Sequence, residues 1–208
     1  EIGYYQELEE YAAAEEKAQQ LLALVSNTPA ISQPHIIGVA FLYLADTLIY
    51  LGKQTEAITY SKLARKQFKP NSVNYAESLE LEFFASFYSG NYPNAEKSIR
   101  QLLDNPNYPV SDYLRSRRRY FLAYTLFAQE KYREADLELA LINAITQDKT
   151  GYNIGIRILS LLICRMLSDY ELLKAREKAF MNDIERVRKH KAIRKRDLLI
   201  FSTIKELA

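Results

Sequence analysis

The stretch from Ala40 to Pro70, AFLYLADTLIYLGKQTEAITYSKLARKQFKP, has the pattern of two amphipathic helices joined by a turn at Gly52. In both halves, apolar or small side chains recur at steps of three and four residues, which places them on one face of each helix. These positions are Phe41, Leu44, Ala45, Leu48, Leu51, Ala57, Ile58, Tyr60, Ser61 and Ala64. Glycine suits the corner, and the closing proline cannot continue a helix. The stretch therefore predicts a helical hairpin whose small residues let two antiparallel helices approach closely.

Weaker copies of this hairpin recur along the chain. Equivalent positions are separated by 43, 38, 40 and 38 residues: Ala14, Ala57, Ala95, Ala135 and Leu173. The run GNYPNA at 90–95 repeats the turn closely, whereas Glu130 replaces the turn glycine in a later copy, so the sequence of that corner matches less well. Asn71 is the expected N-cap of one copy, and Ser111 or Asp112 of the next. The chain is therefore predicted to be an array of hairpins.

These residues resemble the tetratricopeptide repeat. Leu44 and Ala45 stand where that family has Leu followed by a small residue. Its turn glycine, two packing alanines and closing proline are matched by Gly52, Ala57, Ala64 and Pro70. The resemblance implies an all-α fold, a right-handed α-α superhelix (a TPR-like solenoid) of antiparallel helical hairpins. Because the usual period of the family is about 34 residues, longer helices or connectors are expected here.

The same resemblance divides the chain into repeat units within a single domain, residues 1–208. We expect a partial first unit at 1–29, hairpins at 34–70, 71–106, 111–148 and 152–190, and a C-terminal capping helix at 191–208. A capping helix would cover the last apolar face of the array. The chain also resembles part of a larger, repeat-rich bacterial protein, so we expect it to be a fragment that continued upstream of Glu1.

Composition sets wide bounds on the class of protein. Six Gly, six Pro and 26% charged residues are typical of a long-helix protein and argue against a β-rich one. The single cysteine cannot form an internal disulfide, and no apolar stretch is long enough to span a bilayer. A cytoplasmic address without membrane contact is the default expectation. The net charge of +2 conceals an acidic start at 1–16 and a basic segment at 186–196.

The sequence gives little support for catalysis. His35 and His190 are far apart, and neither has a metal-ligand partner at helical spacing. Cys164 lies in an apolar run, where cysteine is usually a small core residue. Glutamates 77, 80 and 82 lie on a predicted helix, where such side chains are usually solvated. There is no glycine-rich phosphate loop. We therefore predict no enzyme activity, no cofactor and no metal.

The resemblance implies a binding surface, because the first helices of tetratricopeptide units line a concave groove. The groove residues that it implies are Asp46, Tyr50, Glu80, Phe84, Tyr88, Arg117, Tyr120 and Tyr124; the same transfer adds Leu42, Ile49, Glu77, Phe87 and Phe127. Aromatic side chains with a few charges are common at peptide-binding surfaces. The alternative is that these aromatic residues only pack between helices. The Lys/Asn clamp for a C-terminal carboxylate is absent from these positions, so the predicted function is a scaffold for another protein or peptide partner.

Two further hypotheses rest on charge. Arginines 115, 117, 118 and 119 and the segment at 186–196 are the two basic features of the chain. The segment could make this a regulatory module that contacts nucleic acid or an acidic partner. Because it lacks interleaved aromatic residues and any nucleic-acid motif, a solvated end is favoured over nucleic-acid binding. The third hypothesis is weak self-association, in which the acidic start of one copy meets the basic end of another.

Overall fold

The computed structural model describes residues 1–105, 108, 111–142, 152–188, 199 and 202, with the backbone alone at 183–188. This part of the chain is all-helical and contains ten helices. They are α1 Ile2–Glu7, α2 Tyr11–Asn27, α3 Pro34–Tyr50, α4 Gln54–Gln67, α5 Val73–Tyr88, α6 Tyr92–Asp104, α7 Asp112–Ala128, α8 Tyr132–Ala140, α9 Tyr152–Met166 and α10 Tyr170–Arg188. None of them is long and apolar enough to cross a lipid bilayer.

The chain divides into two compact units, Glu1–Pro109 and Val110–Ala208. In unit 1, each of the helices α1 to α6 packs against the next, and α3 also contacts α5. In unit 2, α7 to α10 pack in the same sequential way, and α7 also contacts α9. Both units are therefore built from hairpins in which a first helix (α1, α3, α5, α7 or α9) is followed by a second.

All five hairpins turn through the same backbone geometry. The turn residue has a positive φ in each: Glu9 (59°), Gly52 (74°), Gly90 (76°), Glu130 (61°) and Ser168 (57°). The N–H of the following residue donates to a carbonyl five residues back, over 2.9–3.0 Å, which is the Schellman bond that closes a helix C-terminus. The corner at Glu130, where the sequence matches the repeat less well, adopts this conformation without a glycine.

Small residues line the seam within each hairpin, as the spacing predicts. Ala14, Ala57, Ala95 and Ala135 follow the turn residue by five positions, and all four are fully buried. In the last hairpin Leu173 occupies this position and is also buried, in a cluster with Cys164 and Phe180. The recurring alanines are therefore contact residues of the core.

Gly38 permits the closest approach within the first complete hairpin. It is buried on α3, where the ring of Phe68 from the end of α4 lies directly over it. A Cβ at this glycine would be 2.5 Å from Cζ of Phe68. Phe68 is itself part of the core cluster that contains Leu48 and Ala57. Glycine at position 38 therefore lets the ring of Phe68 pack between the two helices at the end of the hairpin opposite the turn.

Helix capping agrees with the sequence in part. Ser111 caps α7 by accepting a hydrogen bond from the N–H of Leu114, as one of the two expected candidates. The N-cap of α5 is Ser72 and not Asn71, which was the wrong choice because Asn71 adopts a positive φ of 69° before the helix begins. Apart from positions 199 and 202, the predicted capping helix at 191–208 lies outside the described residues, and so do His190 and the basic side chains at 186–196.

One arginine ties three helices of unit 2 together. Arg176 on α10 donates from Nη1 and Nη2 to the carboxylate of Asp136 on α8, over 2.7 and 3.2 Å. Its Nη1 also lies 3.2 Å from Sγ of Cys164 on α9. Burial raises the pKa of the Cys164 thiol. Cys164 is therefore a buried packing residue, as expected from its apolar helix.

Candidate functional site

The candidate site lies on the first helices of unit 1. We call it the α3–α5 face and define it by Asp46, Tyr50, Glu77 and Tyr88. The first two belong to α3 and the last two to α5, and these two helices are in contact. All four were among the residues implied by the tetratricopeptide resemblance, and the structure brings the two helices that carry them into contact.

Asp46 is positioned from a third helix. The side-chain amide of Gln6 on α1 donates to Oδ2 of Asp46 over 2.9 Å and lies 3.1 Å from the hydroxyl oxygen of Thr47. Thr47 is fully buried, so this contact ties the side-chain amide of Gln6 to the core. Partial burial raises the pKa of Asp46, and the hydrogen bond from Gln6 opposes that shift. The carboxylate of Asp46 is therefore held in a fixed position, and it is partly desolvated.

Glu77 supplies a second carboxylate close to the first. It is exposed at the surface, yet protein atoms around its carboxyl raise its pKa by desolvation, and the negative charge of Asp46 raises it further. Among the residues that the structure describes, no ion pair involves either carboxylate. Two like charges thus lie near each other without a compensating cation from the described part of the chain.

Tyrosines flank the two carboxylates. Tyr50 is one turn after Asp46, is 59% exposed, and stacks on Tyr11 of α2 with the ring centroids 4.7 Å apart. Desolvation raises the pKa of the Tyr50 phenol, and Asp46, Tyr11 and Tyr88 raise it further, so these groups are close to one another. Tyr88 is 61% exposed and stacks on Phe84. The face therefore combines fixed negative charge with accessible aromatic rings.

Other residues on α3 and α5 pack inward. Leu42 and Ile49 are buried, and Phe84 is half-buried against Phe83 and Tyr88. Glu80 is also half-buried and interacts with other residues of the chain. The expectation that the α5 glutamates are solvated was wrong for Glu82, as its carboxylate is buried against Arg65 (2.6 Å) and Lys62 (3.5 Å). Sequence periodicity did not separate this internal acid from the surface acid Glu77.

Two residues that contact the site escaped the sequence analysis. Gln6 lies 40 positions before Asp46 in the chain, and Tyr11 lies on a second helix, which the resemblance does not assign to the groove. No local pattern distinguishes either residue. Both depend on how α1 and α2 pack against α3.

In unit 2 the sequence-predicted residues are drawn into packing. A Cβ at Gly155 of α9 would lie 2.7 Å from the hydroxyl oxygen of Tyr120. This tyrosine therefore fills the space between α7 and α9. Its ring also contacts Tyr124 and Tyr152 edge-on. Tyr124 remains 42% exposed. Most of this aromatic group therefore serves contacts between α7 and α9.

The arginine cluster of α7 is not one surface patch. Arg118 is only 6% exposed, and Arg119 pairs with Glu138 of α8 at 2.7 Å. Burial lowers the pKa of Arg117, and the charge of Arg118 lowers it further, against an opposing effect of Tyr152. Only Arg115 is solvent-exposed. Four basic residues that are adjacent in sequence thus point in different directions around a helix, and most of them are used internally.

The part of the chain that the structure describes contains no candidate metal site. No group of three or more His, Cys, Asp or Glu side chains is placed there to hold an ion. The α3–α5 face offers two carboxylates and exposed aromatic rings.

Comparison with solved structures decides the fold. Two crystal structures of the nearly identical TPR-like repeats of a kinesin light chain protein from Podosopora anserina, one of them a single-residue variant, superpose on the chain with TM-scores of 0.75 each. The variant is 14% identical, with 90% of this chain and 93% of that chain covered; the other is 13% identical, with 92% and 94% covered. The chain has a tetratricopeptide-like repeat fold. No protein-family model and no curated protein matches it.

The tetratricopeptide-like repeat accounts for the features described above. The predicted antiparallel hairpins are confirmed, with one turn residue and one buried small residue per unit in four of the five hairpins. At this level of identity, the likeness extends to the fold alone. What the repeats bind must therefore be argued from the side chains of this chain.

Proposed function

We propose that the chain is a protein-interaction scaffold that binds a peptide or protein segment on the α3–α5 face. Tetratricopeptide-like folds are usually scaffolds, which supports binding over catalysis. The observation that carries the proposal is the exposure of Tyr50 and Tyr88, about 60% each, on two adjacent first helices. Exposed tyrosines that are held in place at low entropic cost are typical hot spots of interfaces.

Preformed helices would keep the cost of binding low. Tyr50 is fixed by its stack on Tyr11, and Tyr88 by its contacts with Phe84 and Phe87. These rings lose little rotamer freedom when a partner arrives, so the partner bears most of the ordering cost. The residues that the sequence analysis assigned to the groove in unit 2, Arg117, Tyr120 and Tyr124, stay a prediction of lower weight, because Tyr120 and Arg117 already make internal contacts.

The proposal is tested by panning a random-peptide display library against the immobilised chain. We expect peptides enriched on the wild type to bind the Tyr50→Ala/Tyr88→Ala variant more weakly by at least about tenfold, since each truncated hot spot costs on the order of 1–2 kcal/mol. Tyr170→Ala removes a ring of similar exposure from the second helix α10 and should leave binding unchanged. Circular dichroism of each variant checks that helicity is retained.

The outcome that contradicts the proposal is equally clear. If the enriched peptides bind the two-tyrosine variant as well as the wild type, or if Tyr170→Ala weakens them equally, the α3–α5 face is not the binding surface.

A further inference from the structure

The first hairpin differs from the others in the length of its first helix. Helix α1 has 6 residues, whereas α3, α5, α7 and α9 have 17, 16, 17 and 15. The second helix of that hairpin, α2, has 17 residues, as many as α3. Because every residue of a helix adds the same rise, α1 covers only about a third of the length of α2. In the described part of the chain, the rest of α2 therefore has no first helix beside it.

A cavity of about 400 Å³ lies beyond the start of α1. Its volume is within the range of roughly 300–1,000 Å³ that is typical of ligand sites. The remainder of α1, at 4–7, and the first part of α2, at 11–16, do not line it, so the cavity continues the line of α1 along α2. We call it the α2–α3 slot and define it by residues from the three helices that form its walls: Ile2, Lys17, Gln20, Leu21, Leu24 and Tyr43.

The walls of the slot have the pattern with which one helix meets another. The four wall residues of α2, at positions 17, 20, 21 and 24, recur at steps of three and four residues and therefore share one side of that helix. Leu24 is 56% exposed, and Tyr43 on the opposite wall is 40% exposed. By contrast, Ala18 and Val25 of α2 are buried. Large apolar side chains are thus accessible on both walls, at the spacing that a third helix covers.

The charge of Lys17 distinguishes the two ends of the slot. Its ammonium donates to Oε1 of Gln20 over 3.2 Å and forms no ion pair with any residue that the structure describes. Glu1, the other charged residue of the walls, is exposed to solvent. A helix in line with α1 runs antiparallel to α2, so its C-terminal end lies next to Lys17. The carbonyl groups and the dipole at a helix C-terminus favour a nearby cation.

We propose that the α2–α3 slot binds an amphipathic helix of a protein partner, in line with α1 and antiparallel to α2. The apolar stripe of that helix packs on Leu21, Leu24 and Tyr43, and its C-terminal end lies beside Lys17. A helix is favoured over an extended segment, because the walls are helices whose backbone groups are already paired and offer no strand edge.

This binding site goes beyond the proposed function. Tyr43 lies one turn before Asp46 on α3, so the slot adjoins the α3–α5 face. The two surfaces share none of the residues that define them. Each can therefore be altered without changing a residue of the other.

The test pans a helix-biased display library against the immobilised full chain. Its peptides have about 15 residues, the length at which isolated helices begin to form, with randomised positions on an Ala/Glu/Lys frame. We expect apolar residues to be enriched at helical spacing. Fluorescence anisotropy of the enriched peptides should show binding at least about tenfold weaker to Leu24→Ala/Tyr43→Ala. Lys17→Glu should weaken it about threefold, because the helix C-terminus then meets a negative charge.

Matched variants separate the slot from general effects. Leu137→Ala/Leu141→Ala removes two leucines of unit 2 that are 68% and 58% exposed, and it should leave binding unchanged. Lys178→Glu makes the same charge change as Lys17→Glu on the exposed side of α10 and should also have no effect. Equal loss in the slot variant and the leucine control, or the absence of enriched apolar residues at helical spacing, overturns the inference. Circular dichroism of each variant checks that helicity is retained.

The slot and the α3–α5 face are distinguished by the two-tyrosine variant. Tyr50→Ala/Tyr88→Ala should retain the helical peptides, whereas the proposed function requires that it loses the peptides of the random library. Helical peptides that are lost in this variant and retained in Leu24→Ala/Tyr43→Ala would belong to the α3–α5 face, which overturns the slot and leaves the proposed function standing.

A second copy of the chain is the remaining occupant to test. Sedimentation of the wild type alone should show no dimer that depends on the slot. A dimer that Leu24→Ala/Tyr43→Ala disperses would assign the slot to another copy and overturn the assignment to a partner helix.

Discussion

The first helices of unit 1 and those of unit 2 use their charges in opposite ways. In unit 1, Asp46 and Glu77 stand at the surface without a cation partner in the described part of the chain. In unit 2, the arginines of α7 are mostly consumed by packing, with Arg118 buried and Arg119 paired to Glu138. The conspicuous basic cluster in the sequence is therefore structural, while two scattered acids form the candidate binding surface.

The same contrast exists within one helix. Glu77 and Glu82 are both on α5, five positions apart, yet one faces solvent beside Asp46 and the other is buried against Arg65. A buried carboxylate with a close cation contributes to the fold, and an unpaired carboxylate beside a like charge opposes it. Whether an acidic residue stabilises or destabilises this fold therefore depends on whether a cation pairs with it.

The largest effect is expected when the paired acid is removed. Glu82→Ala should lower the free energy of unfolding by about 3 kcal/mol, because it leaves Arg65 partly buried without its partner. Glu77→Ala on the same helix should change it by no more than about 0.5 kcal/mol. Urea denaturation followed by circular dichroism measures both. Equal losses in the two variants would break the comparison between the face acid and the packing acid.

A smaller effect separates the turns of the hairpins. The hairpins α3–α4 and α5–α6 of unit 1 use Gly52 and Gly90 at positive φ, whereas unit 2 uses Glu130 and Ser168. Glu130→Gly should stabilise unit 2 by about 0.5–1 kcal/mol, since glycine adopts this conformation without strain. The reciprocal change, Gly52→Glu, should destabilise unit 1 by about 1 kcal/mol. A Cβ there would meet no atom within 4 Å, so the loss reports backbone strain alone.

Thermal unfolding of these two turn variants provides the check. A destabilising Glu130→Gly would show that the glutamate side chain, and not the backbone geometry, maintains that corner.

The hairpins could be predicted from sequence because their signals are local. Ala57 lies five residues after Gly52, and the same spacing recurs at Gly90 and Ala95. The position of the turn at Glu130 follows from the repeat, but its positive φ could not be predicted, because it runs against the preference of the residue. Contacts made by distant helices set the rest.

The four residues that define the α3–α5 face were implied by the tetratricopeptide resemblance, but the contacts around them were not. Asp46 and Tyr50 follow from the position of α3 in a hairpin and from its helical spacing. The burial of Glu82 depends on Arg65 arriving from α4, and the roles of Gln6 and Tyr11 depend on how α1 and α2 meet α3. A one-dimensional pattern reports which residues share a helix face. It does not report what a neighbouring helix places opposite them.

We expect Asp46 and Glu77 to oppose folding at neutral pH, because no cation in the described part of the chain forms an ion pair with them. The folded-state pKa of each is raised above its ordinary value, 3.8 for Asp and 4.5 for Glu. The stability that protonation gives is therefore fully present below those values and is lost as pH rises through the raised ones.

The most direct measurement is urea denaturation of the wild type and of Asp46→Asn/Glu77→Gln, from about pH 7 down to about pH 4.5. We predict that the variant is at least as stable as the wild type at neutral pH, and that the difference between them shrinks as pH falls. A variant less stable than the wild type at neutral pH, with the deficit closing on acidification, would contradict the account. It would mean that the fold stabilises the ionised form of the two carboxylates.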